Sequence, residues 1–386
     1  MKIGLVLEHF DPQRGGLAHW TWQFAGRLTA LGHEVHVVAC DFAKPDAGMP
    51  VILHPVEPSR SPLRRAAGFE QALRKLQLDV IHDMGVGWYA DIFHAHSGST
   101  KAAHEHGLMR IPRWRQIRFW GERRYREQAE IERRQNARKK SLIVAVSQMD
   151  RGYFQSLYDV PMERIRRIYN GVDTDRFSLQ ECSGHREPTR RMLECTDDEA
   201  VFLFVGYDLR RKNAESAIRA LSLAVSNGFP ARLVIVGGER PEPSARLARK
   251  LGLSDRVALI GGVPDVRPYL AAADVYLHPS WYDPFGLAVF EAFACGLPVI
   301  TTRFTGASEL MADGEHGFII SDPADIVAIA RKMEELLDPE LRKRMGAAAR
   351  LLALQQTLES QTEQFLALYR EIAPSSGASS SSEASE

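Results

Sequence analysis

The stretch Trp281-Tyr282-Asp283-Pro284-Phe285-Gly286-Leu287-Ala288-Val289-Phe290-Glu291-Ala292 decides how the rest of the chain is read. A strand-like run, residues 274–280, precedes it, and a second buried run, residues 297–302, follows soon after. Between them, residues 286–294 read as a short apolar helix. Asp283 then sits in the loop entering that helix, and Glu291 lies about two turns inside it. Eight helical residues at ~1.5 Å each would set the two carboxylates roughly 12 Å apart. Between them lie the backbone N–H groups of the helix start, at Gly286 and Leu287. Those donors and the helix dipole favour an anion. The layout suits an elongated ligand with a hydroxyl-bearing ring at each end and phosphate in the middle, the shape of a nucleotide diphosphate sugar. Spacing alone does not separate this reading from a simple cap, the common role of an aspartate at a helix entry.

With 386 residues the chain has room for two or three domains, each with its own core. Its 49 basic and 49 acidic residues balance, which implies no global attraction to nucleic acid. Cys40, Cys182, Cys195 and Cys295 are scattered without metal-ligand or CxxC spacing, as in a reducing compartment. Met1 runs directly into a strand that ends at Glu8, too short for a signal peptide. No run approaches the ~20 apolar residues needed to cross a bilayer. The expectation is a soluble, cytoplasmic protein.

Outward from the central stretch, strands alternate with helices in both halves. In the first half, residues 3–7, 34–39, 51–54, 80–82, 92–95, 142–146 and 166–169 read as strands, with helices over 17–31, 62–76, 113–139 and 148–158. In the second, residues 201–205, 233–236, 257–260, 275–277 and 299–301 read as strands among helices at 214–225, 245–251, 267–272 and 326–337. This pattern predicts an α/β protein with parallel sheets covered on both faces. The expected organisation is two doubly wound, Rossmann-like domains facing a central cleft. The first covers residues 1–169, the polar, proline-broken stretch 170–200 serves as hinge, and the second covers 201–356. A helix over 357–372 follows, which could pack back on the first domain, and the serine-rich tail 373–386 reads as disordered. Ligands of such sheets bind at the carboxyl ends of strands.

Four features occur in a fixed order on this layout: the Gly15-Gly16 loop after the first strand, the turn Asn170-Gly171-Val172-Asp173, the pair Arg211-Lys212 after Val205-Gly206, and the element from Asp283 to Glu291. With them the chain resembles the retaining, two-Rossmann-domain (GT-B) glycosyltransferases of family 4. Within that family it is most similar to the lipopolysaccharide core glucosyltransferases. The resemblance covers most of the chain, from Met1 to about Ile372.

What the resemblance implies can be set beside what the residues say. Glycines at a strand-to-helix turn let a ligand approach the backbone. The full GxGxxG fingerprint is absent, which argues against a dinucleotide enzyme. The resemblance implies that Gly16, with Gly15, lies near the donor phosphates. Arginine offers a planar fork and lysine a compact charge for a departing pyrophosphate, and the resemblance puts Arg211 and Lys212 in that role. Arg176 falls on a further donor-contacting position. Asp283 and Glu291 match the family's paired acids, but the first is one methylene shorter than the usual glutamate. Glu291 is implied to bind the ribose diol, and Gly286 and Leu287 to offer N–H groups to phosphate. Of His94 and His96, which end a strand of the first half, the family's functional histidine corresponds to one. His96 is preferred because it lies nearer the loop.

Other features carry less. Asp173-Thr174-Asp175 has the look of a DxD metal motif, but the resemblance accounts for it without metal. Neither metal nor cofactor is expected, the nucleotide-sugar being a substrate. His104 and His106 lack a third ligand nearby in sequence. Residues 110–140, opening on Arg110 and closing on Lys140, hold twelve basic and four acidic side chains with Trp114 and Trp120 interleaved. That suits peripheral contact with an anionic membrane, or a phosphorylated acceptor. No other feature supports a nucleic-acid partner.

The expected activity is a metal-independent hexosyltransferase. It would move a hexose, with glucose from UDP-glucose first in line, to a glycan or lipid-linked acceptor such as a lipopolysaccharide core. Lys212, Asp283 and His96 would form its catalytic group. No carboxylates at glycosidase spacing can be recognised. The family's proposed route lets the departing phosphate take the acceptor's proton, with retention of configuration. Two rivals share the layout: a nucleotide-sugar 2-epimerase, and a non-catalytic nucleotide-sugar-binding subunit.

Overall fold

The computed structural model describes residues 1–44, 49–108, 123–196, 198–238 and 241–373. The chain divides into two compact units. One comprises Met1–His94, Glu130–Ile143 and Thr362–Glu386, the other Ala95–Ala129 and Val144–Gln361.

The first unit is built on β1 (Lys2–Val6), β2 (His9–Phe10), β3 (Glu34–Ala39), β4 (Asp41–Phe42), β5 (Val51–Pro55), β6 (Val80–Asp83) and β7 (Ile92–Ala95). Strands β5, β3, β1, β6 and β7 lie side by side in that order, all parallel. β2 and β4 form a small parallel ribbon beside them. With that ribbon set aside, the order is 3-2-1-4-5, so the chain reverses direction across the sheet between β1 and β6. A doubly wound sheet opens a ligand crevice at that switch point. The helix Gly16–Ala30 buries Trp20, Phe24 and Leu28 at i, i+4 and i+8, which is one helical stripe turned to the sheet. The end of the chain returns to this unit. On the helix Leu358–Ile372, Phe365 packs 5.4 Å from Phe24 between ring centroids, and the Tyr369 hydroxyl shares a 2.5 Å hydrogen bond with His82 Nδ1.

After β8 (Leu142–Ala145) and β9 (Ile165–Arg167) come the strands of the second sheet. These are β10 (Ala200–Val205), β11 (Ala231–Val236), β12 (Val257–Gly261), β13 (Val275–His278), β14 (Val299–Thr302) and β15 (Gly317–Ile320). Their order is β12-β11-β10-β13-β14-β15, a 3-2-1-4-5-6 parallel sheet whose switch point lies between β10 and β13. Along β10, Val201 and Leu203 face one core with Phe290, Phe293 and Ala349. Phe202 and Phe204 face the other with Ile218, Leu221 and Ile329. Helices on both faces explain why these strands are continuous apolar runs rather than alternating ones.

Two stretches differ from the sequence reading in local form. The polar segment after residue 178 folds into helices Leu179–Ser183 and Arg186–Met192. Pro188 is tolerated because it falls in the first turn, where N–H groups have no helical partner. Arg190, buried to 8% exposure, donates to the carbonyls of Thr196, Glu199 and Ala272 and pairs with Asp274 at 3.1 Å. A guanidinium can be buried when its donors are met this fully. The long helix Pro339–Gln355 was not singled out by periodicity, because only one narrow stripe, including Met345, Ala349 and Ala353, is buried. Of the expected helix at 113–139, the described part is Arg123–Ala137. The remainder, with Trp114 and Trp120, lies outside the described residues.

Candidate active site

The switch point of the second sheet is where the functional side chains gather. β10 ends at Val205, and the chain turns through Gly206 to Asn213 before the helix Ala214–Ser226. Asn213 holds this turn. It caps the helix from a left-handed conformation at φ 65°, accepting from Ser216 N. Its amide donates to the carbonyls of Pro279 and Pro323 at 3.0 and 2.8 Å. Asp208 Oδ1 accepts the N–H groups of Arg210 and Arg211. The Lys212 stem lies against Gly206, where a Cβ would come within 2.5 Å of Cδ, so a side chain there would displace the lysine.

β13 delivers the second half of the site. It ends at His278, and the loop to Gly286 is tied to β10's turn: Trp281 N donates to Arg211 O at 3.1 Å, and the Arg211 guanidinium donates to Tyr282 O at 3.1 Å. Asp283 N donates to Phe304 O, and Asp283 O accepts from Gly306 N, which fixes the backbone on both sides.

Three groups converge on the Asp283 carboxylate, itself 6% exposed. Lys212 Nζ lies 3.2 Å from Oδ2, His278 Nε2 lies 3.1 Å from the same oxygen, and the Arg211 guanidinium lies 4.0 Å from Oδ1. Burial works against ionisation of Asp283. Lys212, the hydrogen bond from His278, and Arg211 together outweigh it and hold the carboxyl well below its usual range. His278 is pushed down to about 4 by burial and by Lys212, against the pull of Asp283, so its imidazole is neutral at pH 7.

Gly286 adopts φ 85° at the start of the helix Leu287–Ala294, a left-handed conformation that glycine takes without strain. A Cβ there would also come within 2.8 Å of Thr305 Cγ2. No side chain caps this helix end and no acid lies in its first turn, so no side chain of the helix meets its dipole there. One turn further in, Glu291 keeps a partly accessible side chain among dense surroundings. Burial raises its carboxyl to about 7, only partly offset by Arg176 and Lys212. Arg176, whose N–H is held by Asp173 Oδ1, is within electrostatic reach of Glu291. The same Asp173 oxygen accepts from Asp175 N, a local turn-capping pattern. Among the described residues no group of three or more His, Cys, Asp or Glu side chains is arranged to hold a metal ion.

The two histidines of the Phe93–Ser97 region part company. His94 is fully buried in the first unit, against Trp20, His82 and Phe365 at ring distances of 5.1 to 5.2 Å. His96 belongs to the second unit, where burial lowers it to about 4 and the Asp283 charge pulls it back up. Gly15 and Gly16 start the first helix of the other unit, with Gly15 at φ 109° and open space where a Cβ would be. The structure thus brings Arg211, Lys212, Asp283, Gly286 and Leu287 together, with Arg176 and Glu291 alongside. His96 lies within electrostatic reach of Asp283. Gly15 and Gly16 lie in the first unit.

Sequence reasoning missed His278, Asn213 and Tyr282. The Tyr282 hydroxyl donates to Asp150 Oδ1 at 2.8 Å and accepts from Ser99 N at 3.2 Å, and its ring stacks on His106. A signal existed for His278: it is a polar residue closing an apolar strand at its carboxyl end. Asn213 and Tyr282 carried none beyond their types.

These features are those of a GT-B glycosyltransferase: two parallel-sheet α/β units, with cations and acids gathered at a strand switch point. Two family models match, glycosyltransferase family 4 over residues 14–176 and glycosyl transferases group 1 over residues 185–352. Together they span most of the chain, which belongs to this family of glycosyltransferases. It is 33% identical over 202 residues to the lipopolysaccharide glucosyltransferase WaaG of Escherichia coli strain K12, an alignment covering 52% of this chain and 54% of that protein. The chain thus spans about half the length of the curated relatives it first matches. It is 28% identical over 387 residues to a GDP-mannose-dependent phosphatidylinositol monomannoside mannosyltransferase of Mycolicibacterium smegmatis, covering 91% of this chain and 93% of that one. Among solved structures, the crystal structure of WaaG superposes with a TM-score of 0.80 at 25% identity, covering 97% of this chain and all of that one. Among the described residues, no helix is long and apolar enough to cross a membrane.

Proposed function

We propose that this chain is a retaining, metal-independent hexosyltransferase that takes glucose from UDP-glucose and passes it to a glycan or lipid-linked acceptor such as a lipopolysaccharide core. One observation carries the reading: Lys212, Arg211 and a neutral His278 converge on the ionised Asp283 at the switch point, beside an uncapped helix start. A donor laid along this edge would meet Glu291 and Arg176 at its ribose, and the N–H groups of Gly286 and Leu287 at its phosphates. Asp283 would meet its sugar hydroxyls. As the glycosidic bond breaks, charge develops on the pyrophosphate, and Lys212 and Arg211 stand ready to neutralise it. Catalysis would then come from positioning and from electrostatic stabilisation of the leaving group. His96, kept neutral by burial, would line the sugar end, and contact with the donor phosphates is the role proposed for Gly15 and Gly16. We place the domain hinge at residues 170–200, between donor-binding residues 201–356 and acceptor-side residues 1–169.

WaaG supports the choice of sugar and acceptor, while the mannosyltransferase, which uses GDP-mannose, makes the base the first thing to test. Peripheral membrane contact through residues 110–140 belongs to the same proposal. In the described part of that segment Glu130 pairs with both Arg133 and Arg134 and offsets one of their two charges, so most of the binding charge would come from the other basic residues. The deciding experiment is hydrolysis and transfer screened across UDP-, GDP- and ADP-sugars, with the anomeric configuration of the product read by NMR. Turnover of a UDP-sugar with retention supports the reading, and an inverted product or no turnover with any donor rejects it. Conversion of UDP-N-acetylglucosamine without acceptor would move the assignment to an epimerase.

A further inference from the structure

β13 ends on a histidine in direct contact with Asp283. His278 is fully buried at the sheet's carboxyl edge, and its carbonyl is held by Thr301 Oγ1 at 3.0 Å and by Ser280 N at 2.8 Å. The imidazole lies under the start of the helix Leu287–Ala294. A methyl group on Gly286 would come within 3.6 Å of Nε2.

The chemistry of its two nitrogens is set by what faces them. Nε2 is 3.1 Å from Asp283 Oδ2, and an ionised carboxylate can only accept. Nε2 therefore carries the proton. Nδ1 faces the Tyr276 hydroxyl at 3.4 Å and is left as an acceptor. A second proton is disfavoured by burial and by Lys212, whose Nζ shares Oδ2 at 3.2 Å. Two donors thus hold one oxygen of Asp283, from β13 and from the β10 turn. Among the described residues the ion-pair partner of the other oxygen is Arg211, at 4.0 Å, beyond hydrogen-bond range. An aspartate side chain has a single methylene and little reach, so where its second oxygen points decides whether it meets a ligand.

We propose that His278 is a positioning residue for sugar transfer: its neutral imidazole pins Oδ2 of Asp283 and leaves Oδ1 for the hydroxyls of the donor sugar. This rests on the hexosyltransferase reading above. His278 touches no reacting atom, and it acts through Asp283. The arrangement explains why a neutral donor sits here rather than a third cation. Lys212 and Arg211 already face the carboxylate, and another positive charge would compete with the pyrophosphate for them. His96 and Tyr276 are the other titratable groups facing Asp283.

The test compares wild type with His278→Ala and His278→Gln, whose amide can donate from nearly the same place. Donor turnover is followed from pH 4 to 8. A hydrogen bond to a charged group supports a loss of roughly tenfold to a hundredfold in kcat for His278→Ala. Loss of this donor removes one of the influences that lower Asp283, so the limb at the acid end of the profile, apart from the Glu291 limb near 7, moves to higher pH. His278→Gln is expected to recover most of the rate and to return the limb toward its wild-type position. Histidine nitrogen shifts of the wild type, read by NMR at pH 7, should show the Nε2–H tautomer. An active wild type with an unshifted His278→Ala profile overturns the positioning role and leaves the transferase reading standing. So does an Nδ1–H or doubly protonated ring, whether or not the alanine variant folds. A wild type inactive on every donor overturns the transferase reading, and the role with it.

Discussion

Asp283 and Glu291, eight residues apart in one element, are held in opposite protonation preferences. Asp283 is kept ionised by Lys212, His278 and Arg211 despite its burial. Glu291, about one turn into the helix that follows, has Arg176 and Lys212 only at a distance, and burial carries it up to about 7. One carboxylate is thus constitutively charged, while the other sits at the threshold of losing its proton in the physiological range.

A pH dependence of nucleotide binding follows for Glu291. A carboxylate can accept two hydroxyls of a ribose, and a protonated acid gives up part of that capacity. UDP affinity should therefore rise as pH increases from 6 to 8, and Glu291→Gln should flatten the profile. Stability runs the other way. The folded-state value lies above the unfolded one, so the contribution is present below about 4.5 and is lost as pH rises through about 7. Glu291→Gln should then stabilise the unliganded protein at pH 8, by on the order of 1–3 kcal/mol, and have little effect at pH 4. Calorimetric titration with UDP and thermal melts at the two pH values check both halves.

Lys212→Ala should be costly twice. On the proposed mechanism it removes a cation from the leaving group, and loss of a preformed electrostatic contact costs about a hundredfold or more in kcat. It also strips a nearly buried carboxylate of its closest counter-charge, where breaking a buried pair costs about 3 kcal/mol. Turnover and melting temperature should fall together. Wild-type turnover in this variant would remove Lys212 from the mechanism.

Asn213→Ala tests how the cations are aimed. The substitution leaves the carbonyls of Pro279 and Pro323 without their donor, removes the helix cap and keeps a non-glycine residue at φ 65°. Lost caps and unmet carbonyls suggest a destabilisation of roughly 2–3 kcal/mol. Because Lys212 is the adjacent residue, donor KM should rise more than for an equally destabilising substitution remote from the turn. A control such as Leu73→Ala, which empties a buried position in the first unit at a cost of about 2–5 kcal/mol, supplies that comparison.

Tyr282→Phe removes a single oxygen, but that oxygen joins Asp150 to Ser99 N and the loop before Asp283. A loss of about 1–3 kcal/mol in stability is expected. Limited proteolysis should show earlier cutting near residues 95–108, where Gly98, at φ 74°, leaves no room for a side chain beside Tyr282. Unchanged melting and unchanged cutting would show that this hydroxyl bears no weight.

Much of this was readable from residue order. The continuous apolar runs at β10, β11, β13 and β14, broken by helical stripes, could only form a parallel sheet covered on both faces. Arg211 and Lys212 could be placed just past a strand's carboxyl end, the edge where sheets of this class bind ligands. The segment after residue 178 was harder. Its polarity signals a linker, but Arg186 and Arg190 are absorbed by Asp274 and backbone carbonyls more than eighty residues away. Nothing local announces that compensation. His94 and His96 are indistinguishable by type and near neighbours in sequence. Only packing separates the one buried against Trp20 and Phe365 from the one that feels Asp283.

The amino-acid order alone determined the periodicities, and with them the strands, the helices, the sheet class and the residue types available at each strand end, because those depend on neighbours a few positions apart. Only the tertiary structure decided which groups meet. The pairing of Lys212 with Asp283 joins residues seventy-one positions apart. The charge states of Asp283, His278 and Glu291 follow from burial and from the nearest opposite charge, quantities that exist only once the two strands of the switch point lie side by side.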